Sequence, residues 1–156
     1  DKGAQLALSI IRRHRLIETF LEQTLGYDWA EVHQDAETLE HAVSDLFVQR
    51  LDRHLGFPNA DPHGDPIPTA SGDYAEGEAI PLDRYPPGAL LQVMRLRDDD
   101  PAFLDLMKSH NLVPGQRVLL KGLDAVAGTI TVENPETEEV FVMSSLLGHR
   151  ILVTPV

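Results

Sequence analysis

The sequence predicts an α + β protein, a helical module followed by a small β-barrel. Apolar residues recur at helical spacing through residues 1–56. Residues 57–87 are crowded with Pro and Gly. Residues 88–156 break into short strands rich in Val, Ile and Leu. A change of period across a Pro/Gly-rich stretch marks two domains and a linker between them.

The first helix is expected in "LALSIIRRHRLIETFLEQTLG", where Ile10, Ile17, Phe20, Leu21 and Leu25 stand close to helical spacing and Gly26 ends the run as a C-cap. Asp28 is placed to cap a second helix, whose Val32, Ala36, Leu39 and Val43 form a stripe at i, i+4, i+7 and i+11. Ser44 or Asp45 caps a third, "LFVQRLDRHLG", which Gly56 ends. The segment "GFPNADPHGDPIPTASGDYAEGEAIPLDRYPPG" reads as a linker, partly polyproline-like. Beyond it, "ALLQVMRL", "QRVLLKGL", "GTITVEN", "EEVFVM" and "RILVTPV" are the expected strands. One short helix, "DPAFLDLMKSH", interrupts them, with an Asp cap and Pro101 in its first turn. So many short strands in so little chain suggest a closed or nearly closed barrel.

Composition narrows the function. A chain of 156 residues with 42% hydrophobic and 24% charged residues can bury a core. No apolar run is long enough to span a membrane. The start "DKGAQLALSI" lacks a signal-peptide layout and an initiating Met, so a trimmed piece of a longer protein is expected. The absence of cysteine excludes disulfides, thiolate metal sites and a Cys nucleophile, and fits a cytoplasmic protein. A net charge of −12, with "RRHR" (Arg12 to Arg15) the one basic cluster, argues against this chain gripping nucleic acid by itself.

The acids are concentrated. From Leu16 to Gln49 there are eight, with no Lys or Arg between them. Within "EVHQDAETLEH", His33, Glu37, Glu40 and His41 fall on one helical face at the edge of the apolar stripe, and His14 and Glu18 repeat the pairing at i, i+4 on the preceding helix. Singly, such pairs are usually solvated surface. Together, like charges at i, i+3 and i+4 are mildly destabilising unless something neutralises them. Either water screens this face or a cation belongs there. Imidazole nitrogen and carboxylate oxygen suit Mn²⁺, Fe²⁺, Co²⁺, Ni²⁺ or Zn²⁺. His54, His63, His110 and His149 are read as ordinary. The chain contains no HExxH, Glu-x-x-His, G-x-S-x-G or phosphate-loop motif, so no enzyme is expected.

The ordered run "RRHRLIETFLEQTLGYDWAEVHQDAETLEHAVSDLFVQRLDRHLGFPNADPHGDPIP" resembles the metal-binding and dimerisation domain of the diphtheria-toxin-repressor family, bacterial transcription regulators that sense Fe²⁺ or Mn²⁺. The likeness continues more loosely into "LLQVMRLRDDDPAFLDLMKSHNLVPGQRV", similar to the family's C-terminal SH3-like barrel. The resemblance implies an ancillary metal site at His14, Glu18 and His33, and a regulatory site at Glu37, Glu40 and His41. Barrel ligands fall on Asp100 and on Phe103, which cannot ligate; Asp98 or Asp99 could substitute. Glu37 stands where iron-responsive members carry Cys, so the resemblance implies a divalent transition metal with Mn²⁺ preferred and Fe²⁺, Co²⁺ or Zn²⁺ possible.

It further implies a homodimer, with Phe20, Leu25 and Trp29 as candidate contacts and a plainer core role open for Trp29. Operator DNA would be met only through a winged helix-turn-helix that this chain lacks. In the intact protein, metal would fix that domain against the dimer core. Pro66-Ile67-Pro68 either docks on the barrel or belongs to a passive linker. The competing classes are a helical di-metal enzyme, which requires metal-dependent turnover, and a dimerisation module without specific metal binding.

Overall fold

The computed structural model describes residues 1–29, 31–73, 75, 77–98 and 100–156, and the chain divides into two units, Asp1–Glu76 and Gly77–Val156. In the first unit, α1 (Lys2–Gln23) starts where the Asp1 carboxylate accepts the Gly3 N–H at 3.1 Å. It ends where Gly26, at φ 71°, reverses the chain in the left-handed conformation that glycine adopts without strain. Its inward face is Leu16, Ile17 and Leu21, whereas Leu25 stays exposed.

α2 (Val32–Leu39) is shorter than its stripe suggested. Asp28 does not cap it; the Asp28 backbone carbonyl instead accepts the Glu31 N–H at 2.8 Å in a tight turn, and Glu31 occupies the cap without a side-chain bond. The inward positions are Val32 and Ala36. Leu39 ends the helix partly exposed, and Val43 reaches the edge of the core from beyond it. α3 (Asp45–His54) is capped by Ser44, whose hydroxyl accepts the Phe47 N–H at 3.1 Å, and its charges suit the helix dipole, with Asp45 in the first turn and Arg53 in the last. Ser44→Ala is therefore expected to lower the stability of this unit by about 1 kcal/mol, read by denaturant unfolding.

The three helices close over one core of Leu16, Ile17, Leu21, Val32, Ala36, Val48, Leu51 and Ile67. The last of these corrects two expectations. Pro66-Ile67-Pro68 packs on the helices, with Ile67 only 8% exposed and its N–H donated to the Asn59 carbonyl at 2.8 Å. Arg15 and Arg12 donate to the carbonyls of Pro66 and Pro68, satisfying backbone acceptors that would otherwise be buried without donors. Residues 57–87 are thus no single tether: they divide between the two units, because an apolar side chain and two arginine clamps fasten their first half. The same clamps use up the basic cluster. Arg12 pairs with Asp52 at 3.0 Å, and Arg13 with Asp45 and the Val43 carbonyl. Trp29 is buried in the unit at 6% exposure.

The second unit is an SH3-like antiparallel sheet of six strands. They are β1 (Ile80–Pro81), β2 (Leu90–Leu96), β3 (Arg117–Asp124), β4 (Thr129–Glu133), β5 (Val140–Ser144) and β6 (Ile151–Pro155), in the order β1-β6-β2-β3-β4-β5. The five expected strands are β2 to β6; β1, at two residues, is too short to show a period. Register shifts at Val93/Arg95 and Leu120/Gly122 bend the sheet. The short helix α5 (Ser145–Gly148) touches β4, β5 and the 3₁₀ turn Leu82–Arg84 that follows β1, so it bridges the two ends of the sheet. Val93, Val118, Leu120, Ile130, Ile151 and Val153 fill the interior with Phe103, Leu104 and Met107 of α4 (Pro101–Ser109).

Candidate metal centre

α1 sets His14 and Glu18 one turn apart on the face that packs against α2, and the first turn of α2 brings His33 to them. His14 Nε2 lies 2.7 Å from Glu18 Oε1 and 3.0 Å from His33 Nδ1. One ligand atom from each of the three residues lies within 4.8 Å of the others. On its far side, His14 Nδ1 lies 2.7 Å from Glu40 Oε2, and Glu40 Oε1 lies 3.3 Å from His41 Nε2. A carboxylate on Nδ1 fixes the proton there and leaves Nε2 as the metal-facing nitrogen, the usual arrangement behind a ligating imidazole.

Without metal, a proton does part of the cation's work. Burial opposes charge on His14, but the Glu18 and Glu40 carboxylates outweigh it and raise its pKa above the ordinary histidine value. A raised histidine value means stability that is full below the unfolded pKa and lost as pH rises through the folded one. Metal at Nε2 must displace that proton. The stabilisation conferred by Mn²⁺ is therefore expected to grow as pH rises from about 6 to about 8, since the metal-free form loses its ion pairs while proton competition fades. Thermal unfolding with and without Mn²⁺ across that range checks this; a flat increment would show that His14 is not displaced.

A second convergence went unread in the sequence. Glu18, Asp61 and His63 place ligand atoms within 4.8 Å of one another, and all three are buried. His63 Nε2 lies 2.8 Å from the Trp29 carbonyl, which can only accept, so Nε2 carries the proton. In the neutral ring, Nδ1 is then a bare acceptor, and it faces Glu18 Oε2 at 3.6 Å. Asp61 Oδ1 accepts the N–H groups of His63 and Asp65, both at 2.9 Å. Asp61 Oδ2 and Glu18 Oε2 are buried without a hydrogen-bond donor. Acceptors converging with no donor between them fit a divalent cation with nitrogen and oxygen ligands. Asp61 and His63 lie in the Pro/Gly-rich stretch read as linker; "DPHG" was the available signal.

The other expected ligands are less gathered. Glu37 sits exposed on α2, one turn past His33, outside both convergent sets, and His41 is largely exposed. In the barrel unit, Asp100 caps α4 by accepting the Ala102 N–H at 3.1 Å. Asp98 accepts from Arg150 at 2.8 Å, and Asp99 lies outside the described residues. Phe103, at the position that cannot ligate, is 3% exposed, with Arg150 over its ring at 5.5 Å.

A helical unit converging imidazoles and carboxylates, followed in one chain by an SH3-like barrel, defines the metal-binding and dimerisation portion of a metal-dependent transcriptional repressor. Residues 1–69 match the family model described as iron-dependent repressor, metal binding and dimerisation domain. A solved manganese-dependent transcriptional repressor in complex with manganese is 40% identical, with a TM-score of 0.95 over 100% of this chain and 73% of that one. The manganese regulator SloR is 36% identical, with a TM-score of 0.87 over 100% and 71%. The iron-dependent repressor IdeR of Mycobacterium leprae (strain TN) is 28% identical over 167 residues, covering 99% of this chain and 71% of that protein. The chain belongs to the iron-dependent (diphtheria-toxin) repressor family.

Proposed function

We propose that this chain is the effector-sensing and dimerising part of a metal-dependent repressor whose preferred ion is Mn²⁺. The observation that carries this reading is the convergence of His14 Nε2, Glu18 Oε1 and His33 Nδ1 on one point. His14, Glu18 and His33 hold the ancillary ion; Glu37, Glu40 and His41 supply the regulatory site, and Asp100 adds a barrel ligand. The Glu40–His14 hydrogen bond joins the two helical sets, so occupancy of one orients a ligand of the other. An all-nitrogen-and-oxygen donor set without sulfur favours Mn²⁺, although Zn²⁺ competes on raw affinity and must be rejected by geometry. Two solved relatives, one in complex with manganese and one described as a manganese regulator, support that choice.

The chain acts as a homodimer, as the family domain's description suggests, with exposed Leu25 at the contact and buried Trp29 excluded from it. It is a regulator and not an enzyme, works in the cytoplasm, and meets operator DNA through a domain other than the two described here. Sedimentation with a parallel Mn²⁺ titration tests this. A dimer with saturable Mn²⁺ binding is expected; a monomer that binds neither Mn²⁺ nor Co²⁺ would end the proposal.

A further inference from the structure

We infer that the open edge of β5 is a docking strand for a partner polypeptide, an extended segment of alternating apolar residues that ends in lysine or arginine. β5 is the last strand in the sheet order and pairs on one side, with β4. That pairing fixes which groups face the free side. The Ser145 N–H donates to the Gly128 carbonyl and the Asn134 N–H to the Glu139 carbonyl, both at 2.9 Å, so Phe141 and Met143 turn their backbone groups toward β4. The N–H and C=O groups of Val140 and Val142 then point out from the edge, and among the described residues no loop, turn or terminus bonds to them. Both valine side chains are more than half exposed, at 57% and 56%. Free edges are normally blunted by shortness, Pro, Lys or a bulge. The opposite edge follows that rule, since β1 has two residues and ends in Pro81. β5 does not: it reads VFVMS, and its register with β4 runs without a shift.

Charge selects the occupant. The end of β4 and the turn into β5 carry Glu133, Glu136, Glu138 and Glu139. Lys121 pairs with Glu133 at 3.1 Å and Arg117 with Glu136 at 3.5 Å, whereas Glu138 and Glu139 are exposed and form no ion pair among the described residues. Beside them a cavity of about 300 Å³ is lined by His110, Asn111, Glu133, Glu139 and Phe141, with the His110 and Phe141 ring centroids 3.6 Å apart in a parallel stack. Carboxylates beside an aromatic floor suit the aliphatic stem and cationic head of Lys or Arg. In an antiparallel pairing these acids meet the C-terminal end of the incoming strand. A second copy of this chain fits less well, because a net charge of −12 repels it. Main-chain bonds along the edge supply affinity, and the acidic end sets direction.

The test uses the 156-residue chain and two synthetic peptides of alternating Val and Thr, one ending in two lysines and the other in two glutamates. Amide hydrogen exchange, read residue by residue by NMR, should slow at least about tenfold at Val140 and Val142 with the lysine peptide and stay unchanged with the glutamate one. Val142→Pro removes an edge N–H without touching the β4 ladder and should weaken the lysine peptide about tenfold. Glu138→Gln combined with Glu139→Gln should erase the preference for lysine. Equal binding of the two peptides, binding that leaves the Val142 amide unchanged, or no binding at all would overturn the inference. So would a Val142 amide that becomes protected without peptide as protein concentration rises, which would give the edge to a second copy. The exchange measurement needs no variant, so it decides the matter even if Val142→Pro fails to fold.

Discussion

His14→Ala is expected to weaken Mn²⁺ binding at the His14/Glu18/His33 site at least about 100-fold, whereas Glu37→Ala, which removes a ligand of the regulatory site, should leave that first site within about threefold; the first bound comes from the losses seen when residues that merely support a ligand are removed. The difference follows from position. His14 has both nitrogens engaged by carboxylates, Nε2 toward Glu18 and Nδ1 toward Glu40. Truncating it removes a ligand, disorients His33 across a 3.0 Å contact, and takes from the buried Glu18 and Glu40 carboxylates the imidazole they share. Glu37 is exposed and makes no part of either convergent set. Calorimetric titration of both variants at one pH decides it. If His14→Ala binds as the unaltered protein does, the convergence on α1 and α2 is a solvated face and the metal lies elsewhere.

The elements were legible wherever a pattern ran long enough to show its period. α1, α3, α4 and β2 to β6 fall where helical spacing, caps and Val/Ile/Leu runs put them, and Ser44 and Asp100 cap as their residue types suggest. The His14–Glu18 pairing was legible too, because i and i+4 share a helical face. Partners fixed by tertiary folding were not. Nothing local tells that Ile67 completes the helical core, or that Arg12 and Arg15 hold Pro68 and Pro66. Once that segment is read as a tether, Asp61 and His63 travel with it and vanish from view. One of the bases that look absent between Leu16 and Gln49 is supplied by Arg13 on α1, which pairs with Asp45, so part of the acidic excess is neutralised by a neighbour distant in sequence.

Asp61→Asn separates folding from metal binding, because the two should change in opposite directions. Burial, then the charges of Asp65 and Glu18, hold the Asp61 carboxyl well above its ordinary range, against the pull of two backbone N–H donors. A carboxyl with a raised folded pKa binds protons more readily folded than unfolded. Stability of the metal-free protein therefore falls as pH climbs from the unfolded carboxylate value, about 3.9, through the folded one. Asparagine keeps the acceptor for the His63 and Asp65 N–H groups, removes the charge, and offers an N–H beside the donor-less Glu18 Oε2. In a chelator at neutral pH, the variant should be more stable by about 1–3 kcal/mol, the usual cost of a buried group left unsatisfied. For a unit of this size each kcal/mol moves the unfolding midpoint by about 4–8 °C. Near pH 4 the advantage should shrink, since Asp61 is then protonated when folded and about half protonated when unfolded. Added Mn²⁺ should reverse the order: at a concentration about 100 times its dissociation constant, an ion stabilises the unaltered protein by about 2.7 kcal/mol, and the neutral amide forfeits much of that gain. Four melts, each protein with chelator and with Mn²⁺, suffice. A variant less stable than the unaltered protein in chelator would mean that Asp61 serves the fold as a charged anchor for the 61–65 turn, and its buried, donor-less oxygen would no longer argue for a cation.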